Sequence, residues 1–231
     1  MLTKAVLTAV SLTALSTPAM AQGFSGGELT LDAYAFAEGS DPTGVNYSGA
    51  LEYSLSRNFS VAGAVSVYDF SLLSESVTNV TLHGIYHVND QSSVGLFLGN
   101  DSSDSGDASF FGLEGGFEAN QLSVEGYAAI YDDSDDSTVV GISGDYRISD
   151  TVSAIGTLGF GDVSGDSYNR LSAGAEYDFQ QGPSVYAEVG QVSGGGTDSG
   201  FIGIGASIEF GAARGTTFDR RGIFETINPG F

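Results

Sequence analysis

The chain has 231 residues, 29 acidic against 7 basic, a net charge of −22 and no cysteine. Such a charge excludes a nucleic-acid surface, which needs cations against phosphate, and the missing cysteines exclude disulfides and thiolate metal centres. Glycine is abundant, yet 41% of the chain is hydrophobic and its aromatics are regularly spaced, which excludes a disordered polar chain.

Residues 1–21, MLTKAVLTAVSLTALSTPAMA, read as an export signal. Lys4 leads an apolar run from Ala5 to Leu15, and Ala19-Met20-Ala21 stands where a signal peptidase cuts. The run is too short to cross a bilayer. Residues 22–28 then form a lead-in.

From Leu29 the pattern is one of strands. Leu29, Leu31, Ala33 and Ala35 open it, and Val45, Tyr47, Gly49, Leu51, Tyr53 and Leu55 continue it with polar or small residues between. It resumes at Phe59–Val67, Val80–Val88, Val94–Leu98, Phe111–Phe117, Leu122–Ile130, Val140–Ile148, Val152–Phe160, Leu171–Phe179, Val185–Val189 and Ile202–Phe210. The connections alternate in kind. SRN, NDQ, NQ, SDT and QQGP are tight, whereas EGSDPTG, SLLSES, DSSDSGD, DDSDDS, GDVSGDS and SGGGTDSG are longer and acidic. Short turns on one side and longer loops on the other predict an all-β, antiparallel up-and-down transmembrane β-barrel of about 12 strands over 29–210. An even strand number puts both termini at the short-turn, periplasmic side.

A soluble sandwich would show no depth order along its apolar face. Here Tyr53, Phe59, Tyr86, Phe117, Tyr146, Tyr177, Phe179 and Phe210 cluster near the short turns, and Tyr47, Phe111 and Phe160 near the loops. Two aromatic girdles around an aliphatic and glycine band fit lipid interfaces. Asp69, Ser109, Thr138, Asn169 and Gln191, the polar residues of that face, fall at the loop end.

Gly205-Ala206-Ser207-Ile208-Glu209-Phe210 resembles the closing-strand signal that outer-membrane barrels present to their insertion machinery. With the export signal and the strand pattern, the chain resembles the porin-family outer-membrane proteins of Gram-negative bacteria from Leu29 to Phe210. That resemblance implies residence in the outer membrane, among its lipid and lipopolysaccharide, and a channel for small hydrophilic solutes or cations. Twelve strands and the lack of a long infolding loop depart from the general porins and argue against a wide pore. At about 4.8 Å per strand and a tilt of roughly 40°, twelve strands give a backbone radius of about 12 Å and a free bore of about 6 Å radius.

Inward parity falls on Asp32, Glu52, Glu114, Glu118, Glu125, Asp145, Glu176, Asp178, Glu188 and Glu209, opposed within the strands by Arg147, Arg170, His83 and His87. Rings of carboxylates favour cations, so the expected function is passive diffusion with a cation preference. A salt-bridged lumen filled by Tyr34, Tyr68, Tyr127 and Tyr186 is the non-conducting alternative, giving a structural or surface-barrier barrel. The acidic loops are either solvated or bridged by divalent cations to lipopolysaccharide phosphates. DSSDSGDASFFG lacks the ligands of an EF-hand. His83 and His87, four residues apart on one strand, lie about 13 Å apart and cannot share a metal. No nucleophile-elbow or cofactor motif is present, which leaves a lipid hydrolase as a minor alternative and implies no cofactor.

Residues 211–231 extend past the closing strand and carry Arg214, Arg220 and Arg221. As a periplasmic tail beside an acidic lumen, they are expected either to hang free or to fold back and trim the pore, pairing with Glu52, Glu176, Asp178 or Glu209.

Overall fold

The computed structural model describes residues 23–37, 44–70, 76–104, 106–132, 137–163, 165–179, 182–212 and 215–226. Residues 1–22, where the export signal is expected, 38–43, 71–75, 105, 133–136, 164, 180–181, 213–214 (with Arg214) and 227–231 lie outside them. Twelve strands form in order: β1 (Gly23–Phe36), β2 (Gly44–Ser54), β3 (Phe59–Phe70) and β4 (Ser76–Asn89). Then come β5 (Ser92–Ser103), β6 (Gly106–Ala119), β7 (Leu122–Asp132) and β8 (Thr138–Arg147). The last are β9 (Val152–Val163), β10 (Asp166–Asp178), β11 (Pro183–Gly194) and β12 (Thr197–Gly211), followed by one helical turn, α1 (Ile223–Thr226).

Each strand pairs antiparallel with its sequence neighbours, and β1 pairs with β12 to close the barrel. Closure leaves no edge with unpaired backbone groups, the condition for a sheet in hydrocarbon. The alternation sets which side each residue takes. Leu29, Leu51, Leu96, Leu113 and Val189 are all about half exposed or more, and all lie on the outer surface. An apolar belt of this extent is costly in water and stable in lipid. Phe59 and Tyr86 pack at 4.9 Å and Tyr177 and Phe179 at 5.0 Å in the girdle near the short turns.

The start of β1 and three of the loops differ from the sequence pattern. β1 begins at Gly23 rather than Leu29, because Gly26, Gly27 and Glu28 pair with both β2 and β12. Its small residues and the register shift between Phe24 and Gly26 hide the alternation there. Three of the expected long loops are short. β5 runs to Ser103 and β6 starts at Gly106, β9 and β10 meet across 164–165, and β11 and β12 across Gly195-Gly196. Beyond the lipid the ladder continues through polar residues, which need no apolar face once water meets them. At the opposite end Asn120, at φ 55°, makes the two-residue turn between β6 and β7.

The inside is less polar than its carboxylates suggest. Phe97, Phe110, Ala129, Tyr131 and Val139 form a buried cluster in the loop half of the lumen, and Tyr34, Val192 and Phe201 form another. Tyr34 belongs to the second cluster and Tyr127 packs against the first, as a filled lumen would have them. Water has been replaced by side chains over much of the bore.

Candidate functional site

The tail leaves β12 at Gly211 and turns back into the barrel. Gly215 lies against Gly26, where a Cβ would come within 1.9 Å of the Gly215 carbonyl oxygen. The Thr217 N–H donates to Glu52 Oε2 at 2.7 Å. Phe218, 1% exposed, packs on Ala62 and Ile85. Burying such a ring is worth roughly 1.5–3 kcal/mol, and it fixes the depth at which the following arginines arrive.

Arg220 and Arg221 point to opposite walls. Arg220 donates from Nη2 to Asp32 Oδ2 at 3.0 Å, from Nη1 to Ser48, and from Nε to Glu225 Oε2 of its own tail at 2.6 Å. Asp32 also accepts from Asn46 at 3.0 Å and from the Tyr186 hydroxyl. Arg221 donates from Nε to Glu114 Oε2 at 2.9 Å and from Nη2 to Glu125 Oε2 at 3.1 Å. Its guanidinium carbon lies 4.5 Å from the centre of the Tyr127 ring. The other Glu114 oxygen contacts His83 Nδ1 at 2.8 Å. The planar fork of arginine thus meets two carboxylates and an aromatic face at once, which a lysine cannot do.

Beyond Arg221 the tail keeps climbing. Its carbonyl oxygen accepts from Asn79 at 2.7 Å and Thr81 at 3.1 Å. Ile223 packs on the Phe97 cluster, and Phe224 lies 5.7 Å from the Tyr68 ring. Arg170, paired with Glu188 at 2.9 Å, donates to the Glu225 carbonyl oxygen. At Gly159 a Cβ would fall 2.0 Å from the Thr226 carbonyl oxygen. Gly159→Val is therefore expected to displace α1 while leaving strand pairing intact. Trypsin should then cut after Arg220 and Arg221 faster than in the native chain, with the barrel still resisting detergent; an unchanged cutting rate would speak against this contact holding the tail.

The remaining inward residues divide by depth. Asp32, Glu52, His83, Glu114, Arg170 and Glu188 are buried, and Glu125, Asp145, Glu176 and Asp178 are partly so. Glu118, Arg147 and Glu209 are exposed near the short turns. Arg220 and Arg221 pair with Asp32, Glu114 and Glu125, wall carboxylates outside the expected set. Of the four expected partners, Glu52 is met by a backbone N–H and Glu209 lies against Gly215. Glu176 and Asp178 receive no bond from either arginine. The tail passes the mouth where those groups lie. His87 bonds Ser60 at 3.0 Å and Ser93 at 2.9 Å; Ser60 is buried and Ser93 partly so. Glu28 and Asp101 are inward carboxylates that the sequence pattern missed, one before the assumed start of β1 and one in an assumed loop. A cavity of ≈230 Å³ remains beside the tail, touching Glu125, Tyr127, Arg220 and Arg221.

A closed twelve-strand barrel with a lipid-facing belt and a filled, charged interior defines a membrane β-barrel. No protein-family model matches the sequence, and no curated relative does. The fold does have counterparts. It matches a KdgM porin in complex with disordered oligogalacturonate over 79% of this chain and 99% of that one, with TM-score 0.60 and 16% identity. NanC porin matches over 78% and 98%, with TM-score 0.61 and 10% identity. An outer-membrane channel from Pseudomonas putida F1 matches over 87% and 100%, with TM-score 0.55 and 13% identity. The architecture is that of the porin-type outer-membrane barrels.

Proposed function

We propose that the protein is an outer-membrane channel for small hydrophilic solutes, preferring cations, whose own C-terminal segment narrows the lumen. The carrying observation is the wall charge. Asp32, Glu52, Glu114, Glu125, Glu176 and Glu188 face the interior against Arg170, and Arg220 and Arg221 do not bring this to neutrality. Carboxylates lining a bore select for cations. The KdgM porin is described with oligogalacturonate, a chain of acidic sugars; the acidic wall here would repel such a solute, so the class of solute differs although the fold is shared. The chain is exported by residues 1–21, inserted through the closing strand ending at Phe210, and held in the outer membrane among lipid and lipopolysaccharide.

One observation favours a second reading, a structural barrel that does not conduct: Arg220 and Arg221 are 5% and 2% exposed, and the Phe97 cluster adjoins them. A planar bilayer with a KCl gradient separates the two. Current with a reversal potential on the potassium side is expected. A reversal on the chloride side overturns the cation preference, and silence from both the native chain and a tail-loosened variant overturns the channel.

A further inference from the structure

We infer that the lumen is a receptor for guanidinium groups, and that solutes bearing arginine-like heads take the places now held by Arg220 and Arg221; this rests on the channel reading. The tail behaves as a ligand built into the chain, and its contacts display what the wall recognises. One place is formed by Asp32 and Ser48, with Asn46 and Tyr186 fixing the carboxylate. The other is formed by Glu114, Glu125 and the Tyr127 ring, with His83 holding the oxygen of Glu114 that Arg221 does not use. Asp32 is fully buried and Glu114 nearly so, each set by a wall partner other than the tail. Such acceptors are oriented before a guanidinium arrives, so little ordering cost falls on the incoming group.

The chemistry separates close candidates. An ammonium is a point charge and satisfies one carboxylate at a time, whereas the guanidinium fork engages two and stacks on an aromatic face. A neutral urea, as in citrulline, keeps the shape but leaves the carboxylates without a counter-charge. The ≈230 Å³ cavity touching Glu125, Tyr127 and both arginines gives an entering solute space beside the tail. Exchange can then proceed one guanidinium at a time.

The test uses the full-length chain with Arg221→Ala, reconstituted in lipid, and methylguanidinium and methylammonium as probes. Phe218 and Phe224 remain chymotrypsin sites in this variant, and chymotrypsin's apolar pocket, unlike trypsin's acidic one, does not itself take a guanidinium. Cutting there is expected to accelerate at least about tenfold, the equivalent of losing about 1.4 kcal/mol of docking. Methylguanidinium at millimolar concentration is expected to restore most of the protection, and methylammonium little. Equal rescue by both probes, or by neither, overturns the inference. If Arg221→Ala does not fold, Arg221→Lys replaces it, since it retains charge but loses the fork. In liposomes carrying the native protein, arginine should enter several-fold faster than citrulline. Entry of potassium without rescue or arginine preference sinks the receptor while leaving the channel. Rescue without any conductance sinks the channel while leaving the receptor.

Discussion

Deleting residues 212–231 is expected to raise single-channel conductance by at least about tenfold, because the tail occupies nearly the whole free bore. Twelve strands leave roughly 6 Å of radius inside the side-chain layer. A helical turn with its side chains is about 10–12 Å across, so α1 alone matches that bore. The obstruction is also long. Gly215 sits at the short-turn mouth, Phe218 and Arg221 at mid-height, and Phe224 near Tyr68 in the loop half. The deletion removes three arginines against Asp219 and Glu225 and exposes Asp32, Glu114 and Glu125, so cation selectivity should increase together with conductance. The stability cost should be modest. Burial of Phe218 is lost, roughly 1.5–3 kcal/mol, but water enters and solvates the carboxylates that the arginines leave. Bilayer recordings of the native and truncated proteins provide the measurement, and equal conductance would show that the tail does not obstruct.

The barrel was legible because lipid enforces the alternation. From Val45 to Leu55 and from Val140 to Ile148 every outward residue is apolar or glycine, and the polar or small residues between them mark the inside. Legibility failed where that constraint lapses. Phe97 lies between Leu96 and Leu98, and Phe110 beside Phe111, so apolar residues on both faces conceal the inward ones. Asp101 belongs to a strand end beyond the belt, where outward residues no longer need to be apolar, and Glu28 follows the glycines and register shift that hide the alternation at the start of β1. The arginine pair stood out by charge alone, and its placement inside the lumen agrees with that signal. Its partners did not stand out. They depend on how far the chain climbs, which is set by Phe218 on Ala62 and Ile85 and by the space at Gly26 and Gly159. Those are long-range contacts with no local pattern.

Replacing Arg221 by methionine is expected to loosen the tail more than deleting any other single charge. Methionine retains most of the stem's packing but removes the counter-charge from Glu114 and Glu125 together. The Glu114 side chain is fully buried, and that of Glu125 is 22% exposed. Breaking a buried pair from one side typically costs about 3–5 kcal/mol. Glu125 can recover part of this by drawing water from the adjoining cavity, so Glu114 carries the larger share. A penalty of that size shifts the docked-to-released ratio by about 10²–10⁴. Arg220→Met should do less, since Asp32 keeps Asn46 and Tyr186 as donors and Glu225 departs with the tail. The double variant Arg221→Met/Glu114→Gln tests the assignment, because a neutral amide no longer leaves a buried charge. It should regain protection from trypsin relative to Arg221→Met alone, with a coupling of about 0.5–3 kcal/mol. Additive losses would mean that Glu114 is not what holds Arg221, and that the tail is kept in the lumen by Phe218 packing rather than by charge.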